Sequence, residues 1–384
     1  MGAEPQPTGI DNATLSPVVR RVLGSDTAEV IDWQCVSIHR PFNAATGGVY
    51  RVSGTALERE RLATWSVVLK VGGVGFLADE PSSPQYWKRE LLAYQSGFLG
   101  ALRGGLKAPR CFGAEEPQGA EIRLWLEDIE DASAGKWPPD RYLLAARSLG
   151  RLSGAYLSGD SLPDYPWLSR GFLRKTSEFM GRSADLYPGA ERHPLVQRGY
   201  PGDTLPRVMR LWAERDSLET ALERLPRTIC HHDAFRRNLI VRQHANHEEV
   251  VAVDWAFLGH GAVGEELHDL LPGSYWSRDL TLEEVRSLWD GVFESYLSGL
   301  RDAGWSGDAR LARMGYAAAH ALSYWSLWFA PLMAVQESWY EYMSAMLAHS
   351  FGCTIEEYLD YHGQALPLWL DLADEARELI AQVG

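Results

Sequence analysis

Basic residues are in short supply in this sequence. Lys and Arg number 37 against 51 Asp and Glu, which leaves a net charge of −14 at pH 7. A chain with this balance is poorly suited to bind nucleic acid through its phosphates, so we expect no nucleic-acid partner. An acidic protein can attract a cationic small molecule, but an ordinary solvated acidic surface explains the same balance.

Cysteine is also rare. The chain has 4 cysteines, and they are widely spaced, with no Cys-x-x-Cys pair: Cys35, Cys111, Cys230 and Cys353. This spacing argues against a disulfide framework or a zinc site, and it fits a reducing compartment.

We expect no targeting or anchoring segment. Residues 1–6 carry neither the basic region nor the apolar core of a signal peptide. The stretch from Met314 to Val335 contains no Asp, Glu, Lys or Arg, but it does contain His320 and Pro331. We therefore interpret it as a buried helix rather than a membrane span, and we expect a cytoplasmic protein with no membrane partner.

What the chain does contain is ample apolar material and two regions of different character. Its 384 residues are 46% hydrophobic, enough for two or three domains or lobes with a sizeable core. Residues 1–27 are predicted to form an N-terminal extension with a short helix. Residues 28–129 are predicted to form a smaller lobe, here called the N-lobe. Residues 130–384 are predicted to form a mostly helical lobe, here called the C-lobe.

Alternating and apolar runs in the N-lobe region are typical of strands. The five predicted strands are 30–40, 49–54, 64–71, 109–113 and 121–129. One amphipathic helix, 86–98, comes after the third strand. In the C-lobe region the helical pattern is interrupted by short strands near 239–241 and 250–253. The predicted fold class is α+β, with a small five-stranded antiparallel sheet and a large, mostly helical part.

The densest chemical signal lies at the first of these two short strands. The stretch reads His231-x-Asp233-x4-Asn238 and is followed by Asp254 at the end of an apolar run. Asp233 is a candidate general base that receives or orients the proton of a substrate hydroxyl. Asn238 and Asp254 offer oxygen ligands to Mg²⁺, which typically takes only one or two carboxylates beside phosphate oxygens and water. Phosphoryl transfer from a nucleotide needs this combination of groups.

Each of these residues has a plainer explanation when it is taken alone. Asp233 and Asn238 suit turns, and Asp254 could cap the segment after its strand. Their combination favours the chemical interpretation. We interpret His231 as structural, with its ring holding the loop against the backbone near Asp254. His231 and His232 together also permit a metal-hydrolase site, but no further histidine spacing supports one.

A second set of residues, in the N-lobe region, suits nucleotide binding. Lys70 ends an apolar strand and Glu90 lies on the predicted helix, so a Lys–Glu pair could present the ammonium to the α- and β-phosphates. The plainer alternative is a strand-edge lysine and a solvated glutamate. Thr46, Gly47 and Gly48 are predicted to lie in a turn where the backbone can approach phosphate closely, although an ordinary hairpin turn explains them equally well.

The end of the last predicted N-lobe strand is a candidate adenine site. The backbone from Glu127 to Ile129 could bind the base through one carbonyl and one amide. An acidic linker between lobes is the plainer interpretation, and both can hold.

These pieces, in this order, resemble the aminoglycoside phosphotransferase and choline-kinase-like superfamily, relatives of the eukaryotic protein kinases. The resemblance is carried by four segments: His231-x-Asp233-x4-Asn238, Val253-Asp254-Trp255, Gly259-His260-Gly261 and Glu265–Leu271. It implies a bilobal protein-kinase-like fold. It also implies that MgATP or MgGTP donates its γ-phosphoryl group to a small-molecule hydroxyl.

The resemblance also implies individual roles. Asp233 would be the catalytic base, and Asn238 and Asp254 the metal ligands. Lys70 would grip phosphates, with Glu90 as its partner. One further acidic residue, Asp269, would cap a helix behind the metal loop.

The chain departs from the family pattern at a few positions in and after the catalytic loop. His232 stands where the family often has glycine, and its side chain could crowd or touch the substrate hydroxyl. Trp255-Ala256 replaces the Phe-Gly of protein kinases, which argues against a flipping switch. Phe235 stands where many protein kinases have lysine. Arg236 or Arg237 could substitute, although a surface arginine is the simpler interpretation; we assign Arg237, with the two histidines, a supporting role in the loop.

Acceptor specificity is expected in the aromatic-rich C-lobe region. The candidate acceptor residues are Trp276, Trp325, Trp328, Glu337 and Glu341. Aromatic faces beside carboxylates suit sugar rings, amino sugars or quaternary amines. Plain helix packing is the alternative, since Trp325 and Trp328 have the spacing of a core stripe.

Three functions remain open from the sequence. The first is a kinase of an aminoglycoside, amino sugar or related natural product, with antibiotic resistance as its biological role. The second is a choline-like or sugar kinase of primary metabolism. The third is a catalytically silent nucleotide-binding protein, which the joint presence of Asp233, Asn238, Asp254 and Lys70 disfavours.

Overall fold

The computed structural model describes most of the chain, in two compact units. The described residues are 7, 9–39, 46–73, 79–117, 121–132, 135–159, 162–180, 189–323 and 329–383. One unit, here called the sheet unit, comprises Met1–Leu102, Lys107–Ala132 and Ile240–Ala256. The other, the helical unit, comprises Arg103–Leu106, Ser133–Leu239 and Phe257–Gly384.

Helices predominate among the described residues, and most strands lie in the first third of the chain. The α-helices are α1 (Asn12–Leu23), α2 (Arg89–Gln95), α3 (Pro139–Leu157), α4 (Phe172–Met180), α5 (Pro194–Gly199), α6 (Thr204–Glu223), α7 (Leu270–Trp276), α8 (Leu282–Asp302), α9 (Ala309–Ser323), α10 (Ala330–Met333), α11 (Glu337–Phe351) and α12 (Ile355–Val383). The strands are β1 (Glu29–His39), β2 (Thr46–Glu58), β3 (Arg61–Gly73), β4 (Cys111–Glu115), β5 (Glu121–Glu127), β6 (Ser169–Arg170), β7 (Arg227–Cys230), β8 (Leu239–Gln243), β9 (Glu248–Ala252) and β10 (Gly259–Ala262). Short 3₁₀ helices cover Leu99–Ala101, Arg236–Asn238, Trp255–Phe257 and Glu265–Asp269.

The sheet unit is built on a five-stranded antiparallel sheet of order β1-β2-β3-β5-β4, which confirms the predicted small antiparallel sheet. Along β3, Val67, Leu69 and Val71 are buried in a core that α1 shares through Leu15. Side chains alternate across a strand, so Lys70 projects from the opposite face of the sheet. The predicted N-terminal extension is therefore part of the sheet's core.

The sheet unit also includes the strand pair β8–β9. The backbone of Lys107 exchanges hydrogen bonds with Val250 (3.1 Å) and Ala252 (2.8 Å), and the Ala132 amide donates to Val241 (3.0 Å). Because of these bonds, β8 and β9 belong with the sheet. The predicted division into residues 28–129 and 130–384 placed them with the helical part. As a statement about domains, that division stays a prediction.

One predicted turn is different in the structure. Thr46, Gly47 and Gly48 are the first residues of β2 and not part of a turn, because β2 extends further toward its N-terminus than its apolar pattern indicated. Gly48 pairs with Val71 and has φ of 126°, which only glycine adopts without strain. Residues 40–45 lie outside the described residues.

In the helical unit, α3 and α8 approach each other at glycines. A Cβ on Gly150 would lie 2.1 Å from the carbonyl oxygen of Tyr296, and one on Gly299 would lie 2.1 Å from that of Arg147. A small sheet of order β6-β10-β7 lies in the same unit. It places the loop after β7, which begins at His231, beside β10.

The apolar stretch 314–335 does not form a single long helix within the described residues. It contains the end of α9 and all of α10, and residues 324–328 between them lie outside the described part. In the ranges that the structure describes, every helix is too short or too polar to cross a membrane.

The close approach of α3 and α8 gives a stability prediction. Alanine is intrinsically better than glycine in a helix by about 1 kcal/mol. At Gly150, however, the new methyl group would meet the backbone of α8, and overpacking costs about 1–3 kcal/mol. We expect Gly150→Ala to lower the urea midpoint of unfolding.

Gly100→Ala is the control for this prediction, because nothing lies within 4 Å of the position that a Cβ would take there. It should leave the midpoint unchanged or raise it. An equal or higher midpoint for Gly150→Ala would contradict the proposed backbone contact.

Candidate active site

The loop after β7 carries the catalytic candidates of the helical unit. Asn238 Nδ2 donates hydrogen bonds to Asp233 Oδ2 at 2.7 Å and to the Asp233 carbonyl oxygen at 3.0 Å. These two bonds fix the carboxylate of Asp233. They also commit the amide nitrogen of Asn238, so its Oδ1 atom is the one suited to bind a cation.

Two adjacent glutamates hold this loop from the segment after β10. The buried Glu266 Oε2 accepts a hydrogen bond from the His231 amide at 2.7 Å, and burial raises the pKa of Glu266 to about 7. Glu265 Oε2 accepts from the Ala262 amide at 2.6 Å. Sequence reasoning missed both residues, although they lie in the Glu265–Leu271 run that resembles the family.

His232 has a structural role that its sequence position did not reveal. Its Nδ1 lies 3.1 Å from the carbonyl oxygen of Phe257, and its Nε2 lies 3.1 Å from Glu265 Oε1. The ring also stacks on Phe172, with 4.6 Å between centroids. A carbonyl can only accept, so Nδ1 donates to Phe257, and Nε2 faces the carboxylate of Glu265.

Glu265 is ionised in these surroundings. Burial raises the pKa of Glu265, but its hydrogen bond and electrostatic interaction with His232 outweigh the effect of burial, and the pKa lies below its ordinary value. Both oxygens of the buried carboxylate are hydrogen-bonded, one to His232 and the other to the Ala262 amide, which is the condition under which burial of charge is tolerated. His232 braces the loop rather than reaching toward the acceptor.

The backbone of His232 explains why glycine suits this position in the family. Its φ is 66°, in the left-handed region that side chains with a Cβ rarely adopt. A residue held there costs about 1–3 kcal/mol and persists only when its surroundings over-determine it. The contacts of the ring with Phe257, Glu265 and Phe172 hold His232 in this conformation.

The other two residues predicted to support the loop, His231 and Arg237, also form hydrogen bonds there. The buried His231 accepts a hydrogen bond through Nδ1 from the Asp233 amide at 3.3 Å. Its proposed contact with the backbone near Asp254 stays a prediction. Arg237 donates to Asp279 at 3.1 Å and to the carbonyl oxygen of Ser277 at 2.6 Å. It thereby ties the catalytic loop to the turn after α7.

Asp269 does not have the capping role expected of it. It stands at the N-terminal end of α7 and is buried, but its side chain does not cap that helix. Its backbone is in the helical region, with φ of −108° and ψ of −16°, whereas a capping aspartate usually has extended backbone. Its structural role behind the loop stays a prediction.

The sheet unit brings together three other predicted residues. Lys70 Nζ lies 2.6 Å from Glu90 Oε2 and 2.7 Å from Asp254 Oδ1. Burial lowers the pKa of Lys70, but the charges of Asp254 and Glu90 more than compensate, so its pKa lies above the ordinary value. The ammonium is therefore firmly charged. Its pairing with Glu90 is the arrangement that the sequence predicted.

The first turn of α2 also fixes the segment that carries Asp254. Glu90 Oε1 accepts from the Trp255 amide at 3.2 Å, and the fully buried Arg89 donates to the Ala256 carbonyl at 2.8 Å. Burial lowers the pKa of Arg89 to about 10, which leaves it charged. Trp255 itself is buried and donates from Nε1 to Ala252. Sequence reasoning missed Arg89, which no local pattern distinguishes from a surface arginine.

The predicted adenine site is only partly available. The Glu127 amide donates to the Arg110 carbonyl at 2.8 Å, so it is already engaged and is not available to bind a base. The Glu127 carboxylate pairs with Arg242 at 3.0 Å, and the Asp128 carboxylate pairs with Arg51 at 2.8 Å. The Ile129 amide thus becomes the candidate donor of this segment. The nucleotide-binding roles of Glu127 and Ile129 stay predictions.

Three of the five candidate acceptor residues are described, and their surroundings differ. Trp276 is buried and stacks on His362, with 5.6 Å between ring centroids, so it packs in the core. Glu337 and Glu341 are exposed on α11. Trp325 and Trp328 lie outside the described residues. An acceptor role for these residues stays a prediction.

The donor atoms fit a hard divalent cation in their chemistry. Asp254 offers a carboxylate that is 41% exposed, and Asn238 offers its Oδ1. Oxygen donors of this kind are those that Mg²⁺ binds. In the described part of the chain, no cluster of three or more His, Cys, Asp or Glu side chains could form an all-protein metal cage.

The fold and these two groups of residues define a kinase-like phosphotransferase. The model of the phosphotransferase enzyme family matches residues 49–305, more than half of the sequence, and the chain belongs to this family. It is thus a small-molecule phosphotransferase that acts on hydroxyl groups. No curated protein sequence gives a significant match.

Solved structures share the fold at low sequence identity. A choline kinase from Cryptosporidium parvum has a TM-score of 0.53 at 12% identity, with 96% of this chain and 97% of that chain covered. A spectinomycin phosphotransferase, solved with ADP and spectinomycin, has a TM-score of 0.53 at 10% identity, with 97% of this chain and 100% of that chain covered. An aminoglycoside phosphotransferase from Alicyclobacillus acidocaldarius has a TM-score of 0.51 at 13% identity, with 100% of this chain and 99% of that chain covered.

The left-handed backbone at His232 gives a prediction that separates strain from lost contacts. His232→Gly and His232→Ala both remove the ring and its hydrogen bonds. Only alanine keeps a Cβ in the left-handed region, so we expect it to be less stable than the glycine variant by about 1 kcal/mol. Urea unfolding of the two variants measures this difference.

A matched pair on the exposed face of α8 is the control. Ser287→Ala should be more stable than Ser287→Gly there, because alanine is the better helix former. The same ranking at position 232, with alanine the more stable, would show that φ at His232 is not left-handed.

Proposed function

We propose that the protein is an Mg²⁺-dependent kinase that transfers the γ-phosphoryl group of ATP or GTP to a hydroxyl of a small molecule. The observation that carries this proposal is the cluster formed by Lys70, Glu90 and Asp254. It joins the residue proposed to bind phosphate with the residue proposed to hold the metal ion. The two roles belong together, since Lys70 would bind the nucleotide phosphates and Asp254 would hold the ion that neutralises their charge.

The nucleotide is proposed to be held mainly by the sheet unit. Lys70 binds its phosphates, and Glu90 keeps the ammonium in place. The backbone of Thr46, Gly47 and Gly48 lies along the phosphates, and the segment Glu127–Ile129 contacts the base.

The metal ion is proposed to be held by Asp254 and Asn238. When bound, Mg²⁺ neutralises the charge on the phosphate oxygens. The left-handed backbone at Asp254, with φ of 61°, supports a functional role, because strain of this kind is concentrated at functional sites.

Asp233 is proposed to orient the acceptor hydroxyl and take its proton as the bond to phosphorus forms. The 2.7 Å hydrogen bond from Asn238 supports this role, since it fixes the direction of the carboxylate. Glu266 and the pair of His232 with Glu265 keep the loop in place.

Two classes of acceptor are proposed. The first is an aminoglycoside, amino sugar or related natural product, which would give the protein a role in antibiotic resistance. The alternative is a choline-like or sugar substrate of primary metabolism. An ATP-consumption screen against aminoglycosides, other antibiotics, sugars and choline distinguishes the two classes. A catalytically silent protein would consume no ATP with any acceptor.

Substitution of the proposed base tests the mechanism. Asp233→Ala should lower kcat at least about a hundredfold, the usual contribution of general acid–base catalysis. Nucleotide affinity should stay within about twofold, measured by calorimetry. Asp308→Asn, at an exposed carboxylate on the loop before α9, is the control and should keep full activity. Unchanged turnover in Asp233→Ala would rule out this mechanism.

The metal assignment has its own test. Asp254→Asn keeps the shape of the side chain, and asparagine tolerates left-handed backbone as aspartate does. In the wild type, removal of Mg²⁺ with EDTA should weaken nucleotide binding. In Asp254→Asn, binding should already be weak and should respond little to Mg²⁺. If Mg²⁺ strengthens nucleotide binding equally in both proteins, Asp254 is not a ligand.

A further inference from the structure

A cavity beside the catalytic loop has a composition unlike that of the rest of the chain. Its volume is about 430 Å³, within the range of small-molecule sites. It lies wholly in the helical unit and is lined by Gly135, Lys136, Arg236, Arg237, Arg278, Asp279, Leu280 and Thr281. Four of these side chains are cationic and one is a carboxylate, in a protein whose net charge is −14.

We propose that this cavity binds an anionic group, a carboxylate or a phosphate, carried by the acceptor. The inference rests on the proposed kinase function and narrows its acceptor class. A cationic cavity favours acceptors such as acidic sugars, hydroxy acids or phosphate esters over neutral acceptors. It disfavours polycationic aminoglycosides.

The arginines are held in place before any ligand arrives. The Arg236 guanidinium lies 4.7 Å from the ring centroid of the buried Trp137 and donates to the Gly135 carbonyl at 2.9 Å. Arg237 is bound by Asp279 and by the Ser277 carbonyl. Fixed arginines lose little freedom on binding, and their planar donors match carboxylate and phosphate.

Arg278 is the cation best placed to meet an incoming anion. Its guanidinium lies 5.4 Å from the ring centroid of Tyr361, and among the described residues no carboxylate is within ion-pair distance of it. By contrast, Lys136 pairs with Glu284 at 2.5 Å and Arg237 with Asp279 at 3.1 Å. The end of α7 fixes the backbone of Arg278 in the left-handed region, with φ of 61°, because the amides of Arg278 and Asp279 donate to the carbonyl oxygens of Tyr275 and Ser274.

The position of the cavity in the sequence assigns it to the acceptor. Arg236 and Arg237 come three and four residues after Asp233 on the same short loop. Asp233 is the residue proposed to act on the acceptor hydroxyl. The cation proposed for the nucleotide phosphates is instead Lys70, in the sheet unit. An anion in the cavity is therefore part of the molecule that Asp233 acts on.

The test compares one sugar scaffold in four charge states. ATP consumption by the wild type is measured with glucose, glucosamine, gluconate and glucose 6-phosphate, and with matched hydroxy acids. Direct binding of the same compounds is measured by calorimetry without nucleotide. We expect binding and turnover with the acidic compounds; the carboxylate and phosphate arms identify which anion is preferred.

Variants at Arg278 locate the site. Arg278→Gln should raise KM for the acidic acceptor about tenfold, the effect of losing one charge-assisted hydrogen bond. The KM for nucleotide should not change. Arg278→Lys should recover part of the affinity because it keeps the charge. Arg310→Gln is the control, at an exposed arginine paired with Asp308, and should leave both KM values unchanged.

The outcomes separate this inference from the proposed function. Turnover with glucosamine or an aminoglycoside but with no acidic compound overturns the inference and leaves the kinase function standing. A raised nucleotide KM in Arg278→Gln overturns it too, because the cavity would then serve the nucleotide. Acidic compounds that bind the wild type, bind Arg278→Gln weakly and are never phosphorylated also overturn the inference, because the anion in the cavity would then not belong to the acceptor. If no compound of any charge is phosphorylated, the proposed function fails instead. If no acidic compound binds, the inference is wrong.

Discussion

The ammonium of Lys70, held between the carboxylates of Glu90 and Asp254, is the interaction on which the sheet unit's chemistry depends. A buried lysine without partners would lose its proton; with two carboxylates it stays charged and fixes both of them. Glu90 in turn binds the Trp255 amide, and its neighbour Arg89 binds the next carbonyl. Helix α2, strand β3 and the turn that carries Asp254 are thus joined through one set of charges, and a change in any of them disturbs the others.

The helical unit uses the same principle with different partners. The loop from His231 to Asn238 is held by Glu266, which accepts from the His231 amide, and by the contact of His232 with Glu265. Left-handed backbone occurs at His232 in this unit and at Asp254 in the sheet unit. Glu265 contacts the ring of His232, and Glu90 accepts from the amide of Trp255, the residue after Asp254. A buried glutamate therefore stabilises the left-handed segment in each unit.

Local sequence patterns predicted the antiparallel sheet, the residues Lys70 and Glu90 as a pair, and the motif from His231 to Asn238. These features are readable because strand alternation and motif spacing are properties of neighbouring residues. The partners of buried charges cannot be predicted in this way, because they are distant in the sequence. Arg89 reaches the Ala256 carbonyl, and Glu266 reaches the His231 amide, only after folding. The φ angle of His232 is equally invisible: a histidine in the glycine position indicated something unusual, but only its contacts show that it braces the loop. The cationic cavity was missed because its arginines come from separate segments, each unremarkable alone.

The interleaving of the two units along the chain has a consequence for synthesis. The hairpin that ends in Asp254 completes the sheet unit, yet more than a hundred residues of the helical unit precede it. On the ribosome, the N-terminal strands can pair early, but Lys70 must wait for its second carboxylate until that hairpin emerges. A fragment that ends before residue 240 would lack β9 and the turn that carries Asp254, so no single cut in the chain separates the sheet unit from the helical unit. The sheet unit is therefore completed late in translation, only after the first part of the helical unit has been made.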